Sequence, residues 1–422
     1  MNKPSASHPQ TPEALDPKLE QEVQRQLEIL RFGTAEITPE EDFVKMLRHS
    51  IKTNTPLRVK CGIDPTSTEV HLGHTVPYRK MRQFQDLGHT GVVIIGDYTA
   101  SIGDPSGKNE SRPPLTREAI DYNASQYMDQ VYTVLNRDRT EICYQTAWFS
   151  QVGLKDVIRW ASQTTVAKLL SHDTFKNRLE EGHSLSLHEL FYPVLQGIDS
   201  VYIKADVELG GTDQRFNVLM GRDYQKEAGL RPQVAMLLPI ITGTCGTQKM
   251  SKSLGNIISV RDEPFEKFGK IMSIPDRLML EYYKYLTGFS AAEYEEIAAS
   301  LAKETLHPNE AKKNLASLVV SFFHGTEAGQ ESRAKFEQIF KKGDVPDDAP
   351  EFVLSAGAKL LDVLVAAEMV ESRAEGRRLL KQNAVSVMGG DKLTDETQVL
   401  GPEFNQQVLK IGKRKFLKLV YS

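Results

Sequence analysis

The stretch Leu57-Arg58-Val59-Lys60-Cys61-Gly62-Ile63-Asp64 decides the fold. Its short apolar pattern ends in Gly and an Asp-Pro turn, which predicts a strand. Downstream, Pro77, Met81, Phe84 and Leu87 fall on one helical face, and Gly88 is placed to stop that helix. Pro77 is tolerable there if it lies in the first turn. Next comes Val92-Val93-Ile94-Ile95, a continuous β-branched run typical of a strand covered on both faces. Residues 57–96 therefore predict strand–helix–strand, the opening unit of a doubly wound α/β fold with a parallel sheet.

Upstream, residues 1–55 read as a charged helical lead-in. Downstream, residues 115–190 are helix-rich, and a polar helix-forming run continues through 190–225. Val234–Leu238 reads as another buried strand, followed by a Gly-rich loop from Gly243 to Gly255. Residues 263–342 predict a helical domain, and the acidic, Pro-rich stretch 343–352 a linker. Residues 353–422 predict a small separate module: two helices, the strand Val385-Ser386-Val387, a turn at Gly389-Gly390-Asp391 and a final strand pair. From Ser355 onward this tail holds 11 Lys+Arg against 8 Asp+Glu, whereas the whole chain carries −4.

The 422 residues suffice for two to four domains. With 40% hydrophobic and 26% charged residues, the composition is that of a globular protein and excludes a disordered one. A near-balanced charge excludes nucleic-acid binding by bulk charge, so an RNA partner needs a local basic face. Cys61, Cys143 and Cys245 are too sparse for a disulfide framework and lack zinc-ligand spacing, so no metal site is expected. The first 30 residues have no apolar signal core and no apolar run is long enough to span a bilayer. A cytoplasmic location is expected.

Four groups of residues suggest chemistry. His71-Leu72-Gly73-His74 opens the first helix, where free N–H groups and the positive end of the helix dipole suit a phosphate. Two imidazoles one turn apart add donors, and Gly73 allows a flat base to approach. Taken alone, four residues are more often a capped helix with surface histidines. Lys249-Met250-Ser251-Lys252-Ser253 places two lysines and two hydroxyls in a Gly-rich loop able to close over a polyphosphate; alone, it could equally be a solvated basic loop. Tyr192, Gln196 and Asp199 share one helical stripe, either the wet face of an amphipathic helix or a pocket wall for a polar ligand. Gly210-Gly211-Thr212-Asp213-Gln214 permits close backbone approach, with Asp213 able to accept from a ribose hydroxyl. Gly103-Asp104-Pro105-Ser106-Gly107-Lys108 has too few residues between its glycines for a P-loop, and Asn109 follows the lysine.

Together the first two groups resemble the paired signatures of class I aminoacyl-tRNA synthetases. With Cys61-Gly62-Ile63-Asp64-Pro65-Thr66, Ile102–Gly107, Tyr192…Gln196…Asp199 and Gly210–Gln214 in the same order, the chain from about residue 25 onward resembles the bacterial tyrosyl-tRNA synthetases. The tail resembles an S4-type RNA-binding module, chiefly through Ser372–Leu380. The resemblance implies a Rossmann-like catalytic domain over 56–262 with a helical insertion around 125–190, then a helical anticodon-side domain and the S4-like module. It implies a tyrosine–tRNA ligase: L-tyrosine and ATP give tyrosyl-adenylate and pyrophosphate, and the tyrosyl group passes to tRNA(Tyr).

It also implies roles. His71 and His74 hold the phosphate region, and Lys249 and Lys252 close over pyrophosphate. Cys61, Asp64, Thr66, Gly73, Lys108, Gly211, Asp213 and Ser251 meet the nucleotide, whose phosphates bring Mg²⁺. Asp104, Tyr192 and Gln196 grip the tyrosine ammonium, Gln214 faces the carboxyl end, and Asp199 bonds the phenol. A site built around a hydroxyl rejects phenylalanine without editing, for which tyrosine-activating enzymes are the standing example. Arg373, Arg377, Arg378, Lys381, Lys413 and Arg414 touch tRNA, and a homodimer is expected. Two departures stand out: Lys60 occupies the place of a family tyrosine that partners the substrate phenol, and Met388-Gly389-Gly390 replaces the usual Asn-Gly of the S4-like turn. The tryptophan enzyme shares the signatures but not the tail. A shorter nucleotidyltransferase, and an RNA-binding protein built on an inactive synthetase, are the other readings.

Overall fold

The structure is a computed structural model that describes residues 16–102, 116–342, 349–355, 357–388, 391–412 and 415–421. Its first half runs α1 (Pro17–Arg31), β1 (Glu36–Thr38), α2 (Glu40–Thr53), β2 (Arg58–Ile63), α3 (Leu72–Asp86), β3 (Thr90–Ile95), α4 (Arg117–Val131) and β4 (Thr140–Tyr144). Four helices follow: α5 (Thr146–Phe149), α6 (Leu154–Ala161), α7 (Val166–Leu169) and α8 (Asp173–Glu180). Then come α9 (Tyr192–Ile203), β5 (Val207–Gly211), α10 (Arg215–Glu227) and β6 (Val234–Leu238).

The strands form one sheet in the order β1-β6-β5-β2-β3-β4. All neighbours are parallel except β1, which pairs antiparallel with β6. The chain builds outward from β2 through β3 to β4, then returns to the other side of β2 for β5 and β6. That reversal makes the β2/β5 junction the topological switch point, where a ligand crevice opens beyond the strand carboxyl ends. Its two strand ends lead into Asp64 and into Thr212-Asp213.

The expected β2–α3–β3 unit is present, and Gly88, at φ +96°, follows the helix end in the left-handed conformation that a side chain disfavours. Pro77 lies in the second turn of α3, not the first. Three strands in this half lie where helix was expected. β1 interrupts the lead-in. β4 lies inside the expected 125–190 insertion, between α4 and α5. β5 lies inside the expected 190–225 run. Each is short and carries polar residues, Glu208 in β5 and Glu141 in β4 among them, which hides the strand pattern from a reading by hydropathy.

Beyond β6 lie α11 (Pro264–Met272), α12 (Met279–Leu286), α13 (Ala291–Ala302), α14 (Pro308–His324) and α15 (Thr326–Lys342). Contacts divide the chain into two compact units, and the helical domain expected over 263–342 is shared between them. One unit holds the described residues up to Asp262 and Ser273–Leu315; the other holds Glu263–Met272 and the described residues from Ala316 on. In the second unit, Phe268 of α11 packs on Phe336 of α15 with ring centroids 5.3 Å apart.

The same unit contains β7 (Glu351–Leu354), α16 (Leu360–Ala366), α17 (Arg373–Lys381), β8 (Val385–Val387), β9 (Val408–Ile411) and β10 (Lys415–Tyr421). These strands make a sheet in the order β7-β10-β9-β8, over a core including Leu354, Leu364, Leu380, Leu409 and Leu419. β7 begins inside the expected linker and pairs parallel with β10.

Candidate active site

The phosphate side is built around the start of α3. His71 is its N-cap residue, and the His71 and His74 rings stack with centroids 3.6 Å apart. The His71 backbone N–H points at His74 Nδ1 across 3.5 Å. Burial pushes His71 down to about 2, helped by His74; desolvation pushes His74 to about 4, against the pull of Glu69. The buried His71 ring is therefore neutral at pH 7 and offers an N–H donor rather than charge. A Cβ on Gly73 would come within 3.0 Å of the His71 ring, so glycine there keeps the pair in place.

The lysine loop is tied to this helix through its backbone. Leu72 N–H donates to Ile258 O (2.9 Å) and Val260 N–H to Val70 O (2.8 Å), just after the loop. Inside the loop Asn256 is the hub: its amide donates to Lys249 O (3.0 Å) and accepts from Ser251 N–H (2.8 Å). A Cβ on Gly243 would collide with that amide at 2.4 Å. Lys249 and Lys252 are exposed. Lys252 Nζ lies 3.1 Å from Glu69, a carboxylate on the loop leading into His71, so this side chain is held by one exposed ion pair.

The other side lies under α9. Tyr192 Oη donates to Asp64 Oδ2 (2.9 Å), and Thr99 Oγ1 donates to Asp64 Oδ1 (2.6 Å). A Cβ on Gly96 would strike that carboxylate at 2.2 Å. Asp199 is buried and accepts from Gln145 Nε2 (2.8 Å) and Trp148 Nε1 (3.1 Å). Gln145 in turn accepts from the backbone N–H groups of Tyr98 (3.2 Å) and Thr99 (3.0 Å), locking β3's end to β4's. Burial pushes Asp199 up to about 7, against Lys60, Gln145 and Trp148, all of which favour its ionised form.

Lys60 is fully buried. Its ammonium meets Gln196 O (2.8 Å), Ser200 Oγ (2.8 Å) and Glu208 Oε1 (2.9 Å). An ammonium has three donors and all three are committed. Gln196 Nε2 donates to the same Glu208 (3.0 Å). Cys61 is buried, and burial pushes its thiol up to about 12, which makes it an uncharged wall and not a nucleophile.

Asp213 is exposed at the end of β5; its Oδ1 would be 2.5 Å from a Cβ on Gly211, so glycine admits it. Gln214 Oε1 accepts from Asn217 Nδ2 (3.0 Å). Thr66 N–H closes a turn on Asp64 O (2.7 Å). The structure thus pairs Tyr192 with Asp64, His74 with His71 beside Gly73, Gln196 with Glu208 and Gln214 with Asn217, sets Thr66 just beyond β2 and Asp213 just beyond Gly211 of β5, and carries Lys249, Ser251 and Lys252 on the lysine loop. Asp104 and Lys108 lie outside the described residues. The reading from sequence missed Gln145, Trp148, Glu69 and Glu208. For Glu208 a signal existed: Lys60 and Glu208 are register partners in the β2–β5 ladder, visible once β5 is known to be a strand.

The tail's basic residues belong to the second unit. Arg373 pairs with Asp362, Arg377 with Glu396 (2.5 Å) and Arg378 with Glu375 (3.7 Å), each arginine more than half exposed; Lys381 is exposed too. Such pairs are worth little and exchange readily for phosphate. Lys413 and Arg414 lie outside the described residues. No described helix is long and apolar enough to cross a membrane.

Residues 52–341 match the family described as tRNA synthetases class I (W and Y), and residues 336–419 match the tyrosine–tRNA ligase SYY-like C-terminal domain. A tyrosine–tRNA ligase of Moorella thermoacetica is 48% identical over 404 residues, 95% of this chain and 97% of that protein. One from Carboxydothermus hydrogenoformans is 45% identical, covering 95% and 99%. Among solved structures, the L-tyrosine complex of the Archaeoglobus fulgidus tyrosyl-tRNA synthetase is similar with TM-score 0.59 and 25% identity, over 74% of this chain and 99% of that one.

Proposed function

The chain belongs to the tyrosine–tRNA ligase family of class I aminoacyl-tRNA synthetases, and on that premise we propose which of its residues carry each step. The reaction itself is activation of L-tyrosine by ATP to tyrosyl-adenylate, with release of pyrophosphate, and transfer of tyrosyl to the 3′ end of tRNA(Tyr).

Asp199 accepts the substrate's phenolic hydroxyl. Tyr192 and Gln196, with Asp104, hold its ammonium, and Gln214 faces its carboxyl end. The carboxylate attacks the α-phosphate of ATP, a step that needs alignment and charge stabilisation more than proton transfer. His71 and His74 donate N–H groups to the phosphate region, His71 as a neutral ring, as its low pKa supports. Lys252 leaves Glu69 and, with Lys249 and Ser251, closes over the departing pyrophosphate; Lys108 assists. Asp213 takes the ribose, and Cys61, Asp64, Thr66, Gly73 and Gly211 shape the nucleotide site. Mg²⁺ arrives as part of the MgATP substrate: the histidines and lysines of the site are nitrogen donors, unsuited to a hard oxygen-seeking ion. The observation that carries the reading is the buried Asp199, fixed by two donors within a site whose other end presents His71 and Lys252.

The S4-like module from residue 353, preceded by the helical anticodon-side region, binds tRNA through Arg373, Arg377, Arg378 and Lys381, with Lys413 and Arg414. A homodimer forms through the segment after β4. Support comes from large apolar side chains exposed there: Leu154 (75%) and Ile158 (61%), one turn apart on α6, and Leu187 (73%). The enzyme works in the cytoplasm. The test is amino-acid-dependent ATP–pyrophosphate exchange across all twenty amino acids without tRNA. Exchange with tyrosine alone is expected. Exchange with tryptophan would overturn the pocket assignment, and none with any amino acid would overturn the assignment of catalysis.

A further inference from the structure

The pair Lys60–Glu208 lies directly below Gln196, is fully buried and touches no solvent. A buried ion pair is seldom the most stable filling for its space, so its retention calls for a purpose other than stability. Its contacts suggest one. Glu208 Oε1 accepts from Lys60 Nζ (2.9 Å) and Gln196 Nε2 (3.0 Å); Oε2 accepts from Ser200 Oγ (3.2 Å) and from Gln233 Nε2. Paired with an ammonium and given only donors, Glu208 is a carboxylate and can only accept. A glutamine amide looks nearly alike either way round, and its neighbours decide which end faces where. Facing a carboxylate, the Gln196 amide must turn its NH₂ inward. Its Oε1, which has no partner among the described residues, is left as a fixed acceptor.

We propose that Glu208, held by Lys60, is a positioning residue that orients the Gln196 amide so that its oxygen, not its NH₂, meets the substrate ammonium. The proposal rests on the reading that Gln196 grips that ammonium. A flipped amide would present two N–H donors to a cation, so the orientation decides between attraction and repulsion. The second contact of Lys60, to the Gln196 main-chain oxygen, fixes the backbone from which the amide hangs. Lys60 has no donor left for the phenol itself.

The test measures binding of two probes to the full chain by calorimetry. Tyramine keeps the phenol and ammonium; 3-(4-hydroxyphenyl)propionate keeps the phenol and carboxylate. Lys60→Met with Glu208→Leu removes the pair as apolar groups of similar size. Glu208→Asp keeps charge and fold but withdraws the acceptor by one methylene, so it tests the proposal even if the double variant does not fold. Both changes are expected to weaken tyramine about tenfold, as for one lost hydrogen bond to a charged group, and to leave the propionate within about twofold. Gln196→Ala is expected to do the same. If Gln196→Ala weakens tyramine but neither Glu208 variant does, the ammonium reading stands and the orientation role is wrong. Equal losses for both probes in the Glu208 variants would make the pair merely structural. Unchanged tyramine binding in Gln196→Ala would remove the ammonium reading, and the proposal with it.

Discussion

Beneath α9, Lys60, Glu208 and Asp199 are withdrawn from water, and each is held by two or more partners on different strands and helices. At the phosphate side, Lys252 is 65% exposed and held by one ion pair to Glu69. The proposed amino-acid side is therefore pre-set, whereas on the proposed phosphate side the Lys252 side chain has one exposed ion pair to leave. The contrast follows the chemistry. Choosing a phenol requires groups already in place and already desolvated. Stabilising a pyrophosphate that forms only during the reaction requires groups that arrive with it, and contacts made only then raise the rate without tightening ground-state binding.

Substitutions on the two sides should therefore fail differently. Lys252→Ala should cut tyrosine-dependent exchange by about 10²–10³-fold, the cost of one transition-state donor, with the tyrosine Kd nearly unchanged. A large loss of tyrosine binding would break the separation. Asp199→Ala should lower kcat/KM for tyrosine on the order of 100-fold, mostly through KM, because a charged hydrogen bond is lost and Gln145 and Trp148 lose their shared acceptor.

The pH dependence sharpens the comparison. On the proposed reading Asp199 accepts the phenol best as a carboxylate, and burial pushes it up to about 7. Only the ionised fraction binds well, so tyrosine affinity should fall about tenfold from pH 8 to pH 6. Ligand-free stability should move the other way. The folded Asp199 binds its proton more tightly than the unfolded chain does, so its contribution to stability grows as pH falls from about 7 towards the ordinary carboxylate range. His71, buried and already neutral, should add no titration to the exchange rate between pH 5 and 8. The smallest effect belongs to Glu69→Gln, which releases Lys252 from an exposed pair worth up to about 1 kcal/mol; the KM for ATP should fall by no more than about fivefold.

The residues proposed for the phosphate side stand together in the sequence, and those proposed for the amino-acid side only in part. His71, His74, Lys249 and Lys252 lie in short contiguous runs on a helix start and a loop that periodicity and glycines reveal. Asp199, Gln196 and Tyr192 could be placed on one helix face. Their supports could not. Gln145 and Trp148 reach Asp199 from just beyond β4, a strand concealed in a helix-rich segment. Glu208 reaches Lys60 from β5, whose buried carboxylate breaks the apolar pattern by which strands are recognised. A buried polar network is spread over distant segments, and each member looks locally like an error in hydropathy. The same reasoning explains β7: four residues beside a Pro-rich acidic stretch carry no signal until β10 pairs with them.

The separation of the two sides is tested most directly by a double-mutant cycle of Lys252→Ala and Asp199→Ala, measured as kcat/KM for tyrosine in pyrophosphate exchange. The account predicts that the two losses add to within about 0.5 kcal/mol, as for independent sites. A coupling above about 1 kcal/mol would contradict it, showing that the loop and the phenol pocket act as one unit.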